Sequence, residues 1–196
     1  MNRRLFTAAL SALLLTGVGA FAQTSASTST WTIDSNHAQV NFAIKHGGVS
    51  TVRGSISGVT GEVVWDDKNP SNSSVQATIN ATTVTTNNDK RDGHLKSPDF
   101  FNVEKFPTLT FKSTSVTGAA GSLKVVGDLT LAGVTKSVTL DVDGPTAPQK
   151  GQGGKLVTGF SATGTLKRSD FNFGSKFGSP ILGDDVKFTI DVEASK

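Results

Sequence analysis

Apolar residues recur at every second position from Trp31 onward, and the alternation continues through segment after segment. Between Ala38 and His46 the even positions Ala38, Val40, Phe42 and Ile44 are apolar, while Gln39, Asn41 and Lys45 between them are polar. A period of two sends one set of side chains to each face of a β-strand. Val52, Gly54 and Ile56 continue the run, and Val59, Gly61, Val63 and Trp65 resume it in opposite parity. That one-residue slip predicts a bulge or bend near Gly58. Further alternating sets are Val75, Ala77, Ile79 and Ala81; Leu109 and Phe111; Leu123 and Val125; Leu129 and Leu131; Val138, Leu140 and Val142; Leu156, Thr158, Phe160, Ala162 and Leu166; and Val186, Phe188, Ile190 and Val192. The pattern predicts about eight strands or more. Turn-forming clusters separate them, most clearly Asp66-Asp67-Lys68-Asn69-Pro70, Ala132-Gly133 and Asp143-Gly144-Pro145.

Strands this one-sided belong to an antiparallel sheet with one dry face and one wet face. A sheet of about eight such strands folds into a sandwich or closes into a barrel, and closure removes its exposed edges. The rhythm stops once, from Asn87 to Phe101, where charge is dense. Ser97-Pro98-Asp99 there has Pro at the first turn of a short helix. The stretch is read as one or two short helices joining strands across an end of the sheet.

Composition agrees with an all-β chain. Its 196 residues include 25 Thr, 19 Val and 12 Phe against three Glu and one Met, so strand formers outnumber helix formers. The absence of Cys excludes a disulfide framework, a thiolate metal site and a cysteine nucleophile. Asn2-Arg3-Arg4, the apolar run Leu5 to Val18 and Ala20-Phe21-Ala22 have the layout of a secretory signal peptide cleaved after Ala22. A membrane span needs about 20 apolar residues, and this run is shorter and holds Ser11 and Thr16. Residues 1–22 are therefore assigned to the signal peptide, 23–29 to a flexible polar leader and 30–196 to a single β domain, with no transmembrane segment. Without Arg3 and Arg4 the formal charge falls from +3 to +1. The remaining basic residues are spread along the chain with no run longer than the pairs Lys90-Arg91 and Lys167-Arg168, which argues against a nucleic-acid partner.

Candidate chemistry is sparse. The histidines are His37, His46 and His94. On a straight strand the first two lie about 30 Å apart on opposite faces and cannot share a metal. No nucleophile elbow, zinc helix, phosphate loop or dinucleotide turn is present. The paired carboxylates Asp66-Asp67 and Asp184-Asp185 sit in polar, turn-like stretches and read as solvated rather than catalytic. Arg91-Asp92-x-His94 is the most informative charged cluster; it fits either a local salt bridge and cap or a polar mouth over an apolar interior.

Several motifs fall in order over the mature chain: Trp31-Thr32-Ile33-Asp34 with His37; Phe42 with Lys45-His46; Thr86-Asn87, then Arg91-Asp92-Gly93-His94-Leu95; Asp99-Phe100-Phe101; Phe106 to Thr114; Gly127 to Lys136; and Lys167-Arg168-Ser169-Asp170-Phe171. Together they resemble the YceI-like family of periplasmic lipid-binding barrels. The resemblance implies an extended, lipocalin-like, antiparallel eight-stranded barrel that is not an enzyme, needs no cofactor or metal, and holds a long-chain isoprenoid or other amphiphilic lipid. Phe106 stands where many relatives place Tyr, and Phe171-Asn172-Phe173-Gly174 departs from the family pattern.

On that basis the lipid is expected against Phe42, Ile44, Val63, Ile79, Leu95, Phe100, Phe101, Phe106, Phe111, Leu129, Leu140, Phe160 and Phe188, with Arg91, Asp92 and His94 at a polar mouth for the head group. Periplasmic transport or storage by a monomer or homodimer follows. Small inward residues such as Ala38, Gly54, Gly61, Ala77 and Gly164 beside large ones fit a channel or a tapering filled core equally well. A filled core would instead suit an extracytoplasmic interaction or stress-response module.

Overall fold

The computed structural model describes residues 28–196. The expected signal peptide and residues 23–27 of the leader lie outside the described residues. β1 begins at Thr28, two residues inside the stretch assigned to the leader, and pairs with β3 from that residue on.

The strands are β1 (Thr28–His46), β2 (Ser50–Ile56), β3 (Val59–Asp66), β4 (Ser74–Asn80), β5 (Thr108–Ala119), β6 (Ser122–Leu131), β7 (Val134–Asp143), a two-residue β8 (Gln149–Lys150), β9 (Leu156–Lys167) and β10 (Leu182–Ser195). They make eight staves. β2 pairs with the second half of β1 and β3 with its first half, so these two are one stave bent at Ser57–Gly58. Gly58 there has φ +68°, which Gly adopts without a Cβ penalty. Ile56 and Val59 are both buried on either side of the bend, so it absorbs the parity slip seen in the sequence. Antiparallel pairing runs from β3 through β4, β5, β6 and β7 to β9, and β10 closes the barrel by pairing with both β9 and β1.

Two further slips were not visible in the pattern. Between Ile33 and Ala38, four residues of β1 bulge opposite Glu193 alone, so the inward parity changes from Trp31 and Ile33 to Ala38 and Val40. In β5 a bulge at Thr114 changes it from Leu109 and Phe111 to Val116. β6 and β7 join through Ala132 and Gly133 with φ +49° and +81°, the doubly left-handed turn that matches strand twist.

α1 (Asp89–Lys96) forms where Asn88 accepts a hydrogen bond from the Arg91 amide at 3.0 Å, a cap for the helix start. The expected helix start at Ser97-Pro98-Asp99 is a correction: Ser97 terminates α1, and 98–101 is a turn closed by the Phe100 amide on the Ser97 carbonyl. Its Pro follows the helix end because it cannot extend it. α1, the turns after it and residues 172–181 cover one end of the barrel. At the other end Trp31 is buried, donates to the Ser29 hydroxyl and lies 4.4 Å under the Lys196 ammonium. Asp66 is also buried there and accepts the Lys68 and Asn69 amides, so its role is to fix a turn, not to stand in solvent. Leu156, placed inward by its parity, is 37 % exposed, because β9 begins there beyond the covered interior.

Candidate functional site

The inward faces of all eight staves enclose a cavity of about 720 Å³. That lies within the range of small-molecule pockets. Phe42 and Ile44 reach it from β1, Val63 from β3, Ile79 from β4, Phe111 from β5, Leu129 from β6, Leu140 from β7, Phe160 from β9 and Phe188 from β10, while Leu95, Phe100 and Phe101 reach it from α1 and the turn after it. The interior is not filled by its own side chains.

Glycines explain part of that space. The ring of Phe42 lies over Gly54, that of Phe111 over Gly127 and that of Phe188 over Gly164, each where a Cβ would collide with the ring. A ring laid on a neighbouring backbone hugs the wall instead of pointing down the axis. Gly61 has another reason: its φ of +145° and the Gln76 carbonyl beside it exclude a side chain whatever the lumen needs. Phe106 does not border the cavity, which corrects its expected place. It precedes β5 outside the interior, and its ring covers Gly133 at the β6–β7 turn with Lys105 5.2 Å above it.

The covered end is aromatic and cationic. His94 meets Phe100 and Phe177 edge-on at 5.1 and 5.6 Å, and these two rings stack at 5.5 Å. Phe173 meets Phe100 and Phe101 at 5.3 and 4.7 Å, joining residues 172–181 to the turn after α1. The Asp99 carboxylate bridges the same two segments, with Lys176 Nζ at 2.6 Å and His94 Nε2 at 3.2 Å. Lys176 first, then His94, holds the Asp99 carboxyl below its ordinary range. The Gly174 amide adds a hydrogen bond to the Asp99 carbonyl.

Of the expected polar mouth, Arg91 and His94 border the cavity and Asp92 does not. Asp92 is buried beneath them, accepting hydrogen bonds from the Thr85 hydroxyl and from both the amide and hydroxyl of Thr86. Burial pushes its carboxyl up, but the hydrogen bonds from Thr86 and Thr85 outweigh this and leave it below the usual range. Arg91 donates through Nε to the Thr86 hydroxyl and through Nη2 to the Thr86 carbonyl. Asp92 thus sets the height of α1 over the barrel, a placing role rather than a head-group contact.

Sequence reasoning missed other residues of this end. Arg168, although buried, borders the cavity and donates to the carbonyls of Gly183, Phe173, Gly174, Phe177 and Leu182. His46, Lys90, Phe173 and Phe177 also reach the lumen. His46 carried the signal of its parity with Phe42 and Ile44, whereas Phe173 and Phe177 lie in an irregular segment with no period to read. The ionisable lining is therefore His46, Lys90, Arg91, His94 and Arg168, with no carboxylate among it. The wall can hold an apolar chain; its ionisable groups are gathered at the α1 end, and Ser73 and Ser74 line it at the other.

A separate cluster lies at the β1 bulge. His37 Nδ1 is 2.9 Å from the Asp34 carboxylate, and Glu193 brings a third ligand-type atom within 4.8 Å of both. The His37 hydrogen bond, then the Asn36 amide, lowers the Asp34 carboxyl, and Asp34 raises His37. None of the three borders the cavity, whereas His46 does.

Fold and cavity together define a closed antiparallel barrel of the lipocalin-like kind, with an apolar lumen roofed at one end. The chain belongs to the YceI-like family, whose domain model matches residues 31–194. Protein YceI of Salmonella arizonae is 43% identical over 164 residues, which cover 82% of each chain. Among solved structures, a YCEI protein of Campylobacter jejuni superposes with a TM-score of 0.68 at 34% identity, over 76% of this chain and 86% of that one. BcnA of Burkholderia cenocepacia shares the fold with a TM-score of 0.72 at 22% identity, over 82% and 98%. A polyisoprenoid binding domain from Saccharophagus degradans does so with a TM-score of 0.62 at 14% identity, over 84% and 97%.

Proposed function

We propose that this protein binds a long-chain isoprenoid-type or similarly slender amphiphilic lipid, tail in the lumen and head at the α1 mouth, and carries or stores it in the periplasm after export. The observation that carries this reading is a cavity of about 720 Å³ whose ionisable lining consists only of His46, Lys90, Arg91, His94 and Arg168, the remainder being almost wholly apolar. Each buried CH₂ is worth about 0.8 kcal/mol, so a ten-carbon tail gains roughly 8 kcal/mol before the costs of ordering it. A neighbour of the same fold is a polyisoprenoid binding domain, which supports the ligand class. The signal-peptide layout of residues 1–22 supports export. Binding, rather than turnover, suits a wall with no carboxylate and a His94 already engaged by Asp99 and two rings.

Native mass spectrometry of the protein purified from its own host is expected to show co-purifying lipid. Phe160→Asp, which places a charge in the mid-wall, is expected to lower uptake of added geranylgeraniol by about tenfold or more, because a buried unpaired carboxylate opposes an apolar tail. Repeated recovery of lipid-free protein that also refuses geranylgeraniol would overturn the reading.

A further inference from the structure

Among the described residues three large hydrophobic side chains are exposed, and the two most exposed stand at the same end of the barrel. Val49, at the tip of the β1–β2 hairpin, is 86 % exposed, and Ile181, ahead of β10, is 59 % exposed. The two loops are joined: the Gly47 amide donates to the Ile181 carbonyl at 3.0 Å, and a Cβ on Gly48 would stand 3.8 Å from Pro180 Cβ. Single exposed aliphatics are ordinary, but here two stand on joined loops at the end of the barrel where the cavity's cations are gathered. Ile181 also borders the cavity, so the exposed tip runs continuously into the lumen.

Charge at this end has one sign where it borders the cavity. Lys90 and Arg91 are exposed and border the mouth. Of the nearby carboxylates, Asp99 is engaged with Lys176 and His94, Asp184 with Ser169 and Lys167, and Asp185 with Lys167, while Asp89, exposed at the start of α1, does not border the cavity. An apolar tip beside cations suits an interface with hydrocarbon below and negative head groups around it.

We propose that the α1 end of the barrel docks on an anionic bilayer surface, with Val49 and Ile181 entering the head-group layer and Lys90 and Arg91 facing its phosphates. Docking in this orientation brings the α1 roof, whose Lys90, Arg91 and neighbouring Ile181 border the cavity, against the membrane, so that a lipid entering past it need not cross water.

Flotation of the mature protein with vesicles of phosphatidylglycerol and phosphatidylethanolamine, against vesicles of phosphatidylcholine alone, tests this. Binding is expected on the anionic vesicles and is expected to weaken as salt screens it. Val49→Asp is expected to lower the vesicle affinity about tenfold, the scale of one aliphatic side chain leaving an apolar layer. Val49→Trp is expected to raise it, with an indole emission that shifts to the blue on binding and is quenched by brominated lipid chains. Val49 does not border the cavity, so geranylgeraniol uptake in vesicle-free solution is expected to be unchanged in both variants. Failure of the wild-type protein to float with anionic vesicles, or equal flotation of Val49→Asp, would overturn docking even where geranylgeraniol is taken up. Flotation that depends on Val49 without any uptake would keep docking and remove the lipid-carrier reading.

Discussion

Arg168 brings a guanidinium into a site where it is 5 % exposed and meets five carbonyl oxygens instead of a carboxylate. A buried charge is tolerated only when its donors are satisfied, and charge-assisted hydrogen bonds are the strong kind. The planar fork suits this site because its donors diverge toward oxygens on both sides of the 172–183 segment; an ammonium on a flexible stem cannot reach them all. Arg168→Lys is therefore expected to cost about 2–3 kcal/mol, read as a lower urea midpoint, since hydrogen bonds to charged groups are each worth about that much. Backbone amides of 172–181 are expected to exchange faster in the variant, and unchanged exchange there would show that other contacts hold the segment. Residue type does not distinguish Lys167 from Arg168, but register does: Arg168 shares the inward parity of Leu166 and is buried, whereas Lys167 is exposed and paired to Asp184 and Asp185. Side-chain partners that are backbone carbonyls leave no trace in residue type. Phe106 shows the converse, since an aromatic near a family motif reads as cavity wall until the chain path puts it over Gly133.

At the scale of elements, the strands were legible because each carries its own period of two, and the break near Gly58 was legible because apolar residues stand on both sides of it. The bulges at Asp34–His37 and Thr114 were not, because four polar residues separate Ile33 from Ala38 and Phe111 from Val116, too long a gap for the change of parity to stand out. α1 was legible only as an interruption; its placement depends on Asp92, a contact between residues six and seven positions apart that the local pattern does not encode. The junction of α1 with residues 172–181 rests on Asp99. Its carboxyl is held below the ordinary value by Lys176 and then His94. For a lowered carboxyl the contribution to stability is fully present above the unfolded value, about 3.9, and is lost as pH falls through the lower folded value. Hydrogen exchange of residues 172–181 is accordingly expected to quicken, relative to the β6–β7 pair, as pH is lowered through the acid range. Asp99→Asn is expected to show the faster exchange already at neutral pH and to lose the additional acid dependence. Identical acid profiles in the two proteins would place the junction elsewhere, since Asp34, Asp92 and Asp184 also have lowered carboxyls.

For the molecule as a whole, closure replaces the staples that a chain without cysteine lacks. Every stave has a neighbour on both sides along part of its length, with β7 meeting β9 over Asp141–Asp143 and β2 bridged to Thr85 on its second side, so closure shortens the free edges that an open sheet would leave. That closure leaves the interior free to be either core or lumen, and alternation alone could not decide, because small residues beside large ones serve both. The rings laid over Gly54, Gly127 and Gly164 decide it physically: they put aromatic surface on the wall and leave the axis open. Filling the lumen from within separates the two cases by experiment. Ala77 borders the cavity from β4, opposite Phe111 on β5 and Gly61 on β3. In a close-packed core Ala77→Phe would cost about 1–3 kcal/mol through overpacking. With open space ahead of Ala77, the new ring is expected to leave the thermal midpoint unchanged or raise it, while it blocks the bore and lowers geranylgeraniol uptake. A large fall in the midpoint with uptake intact would mean that the lumen near Ala77 is already closed and that the lipid path runs elsewhere.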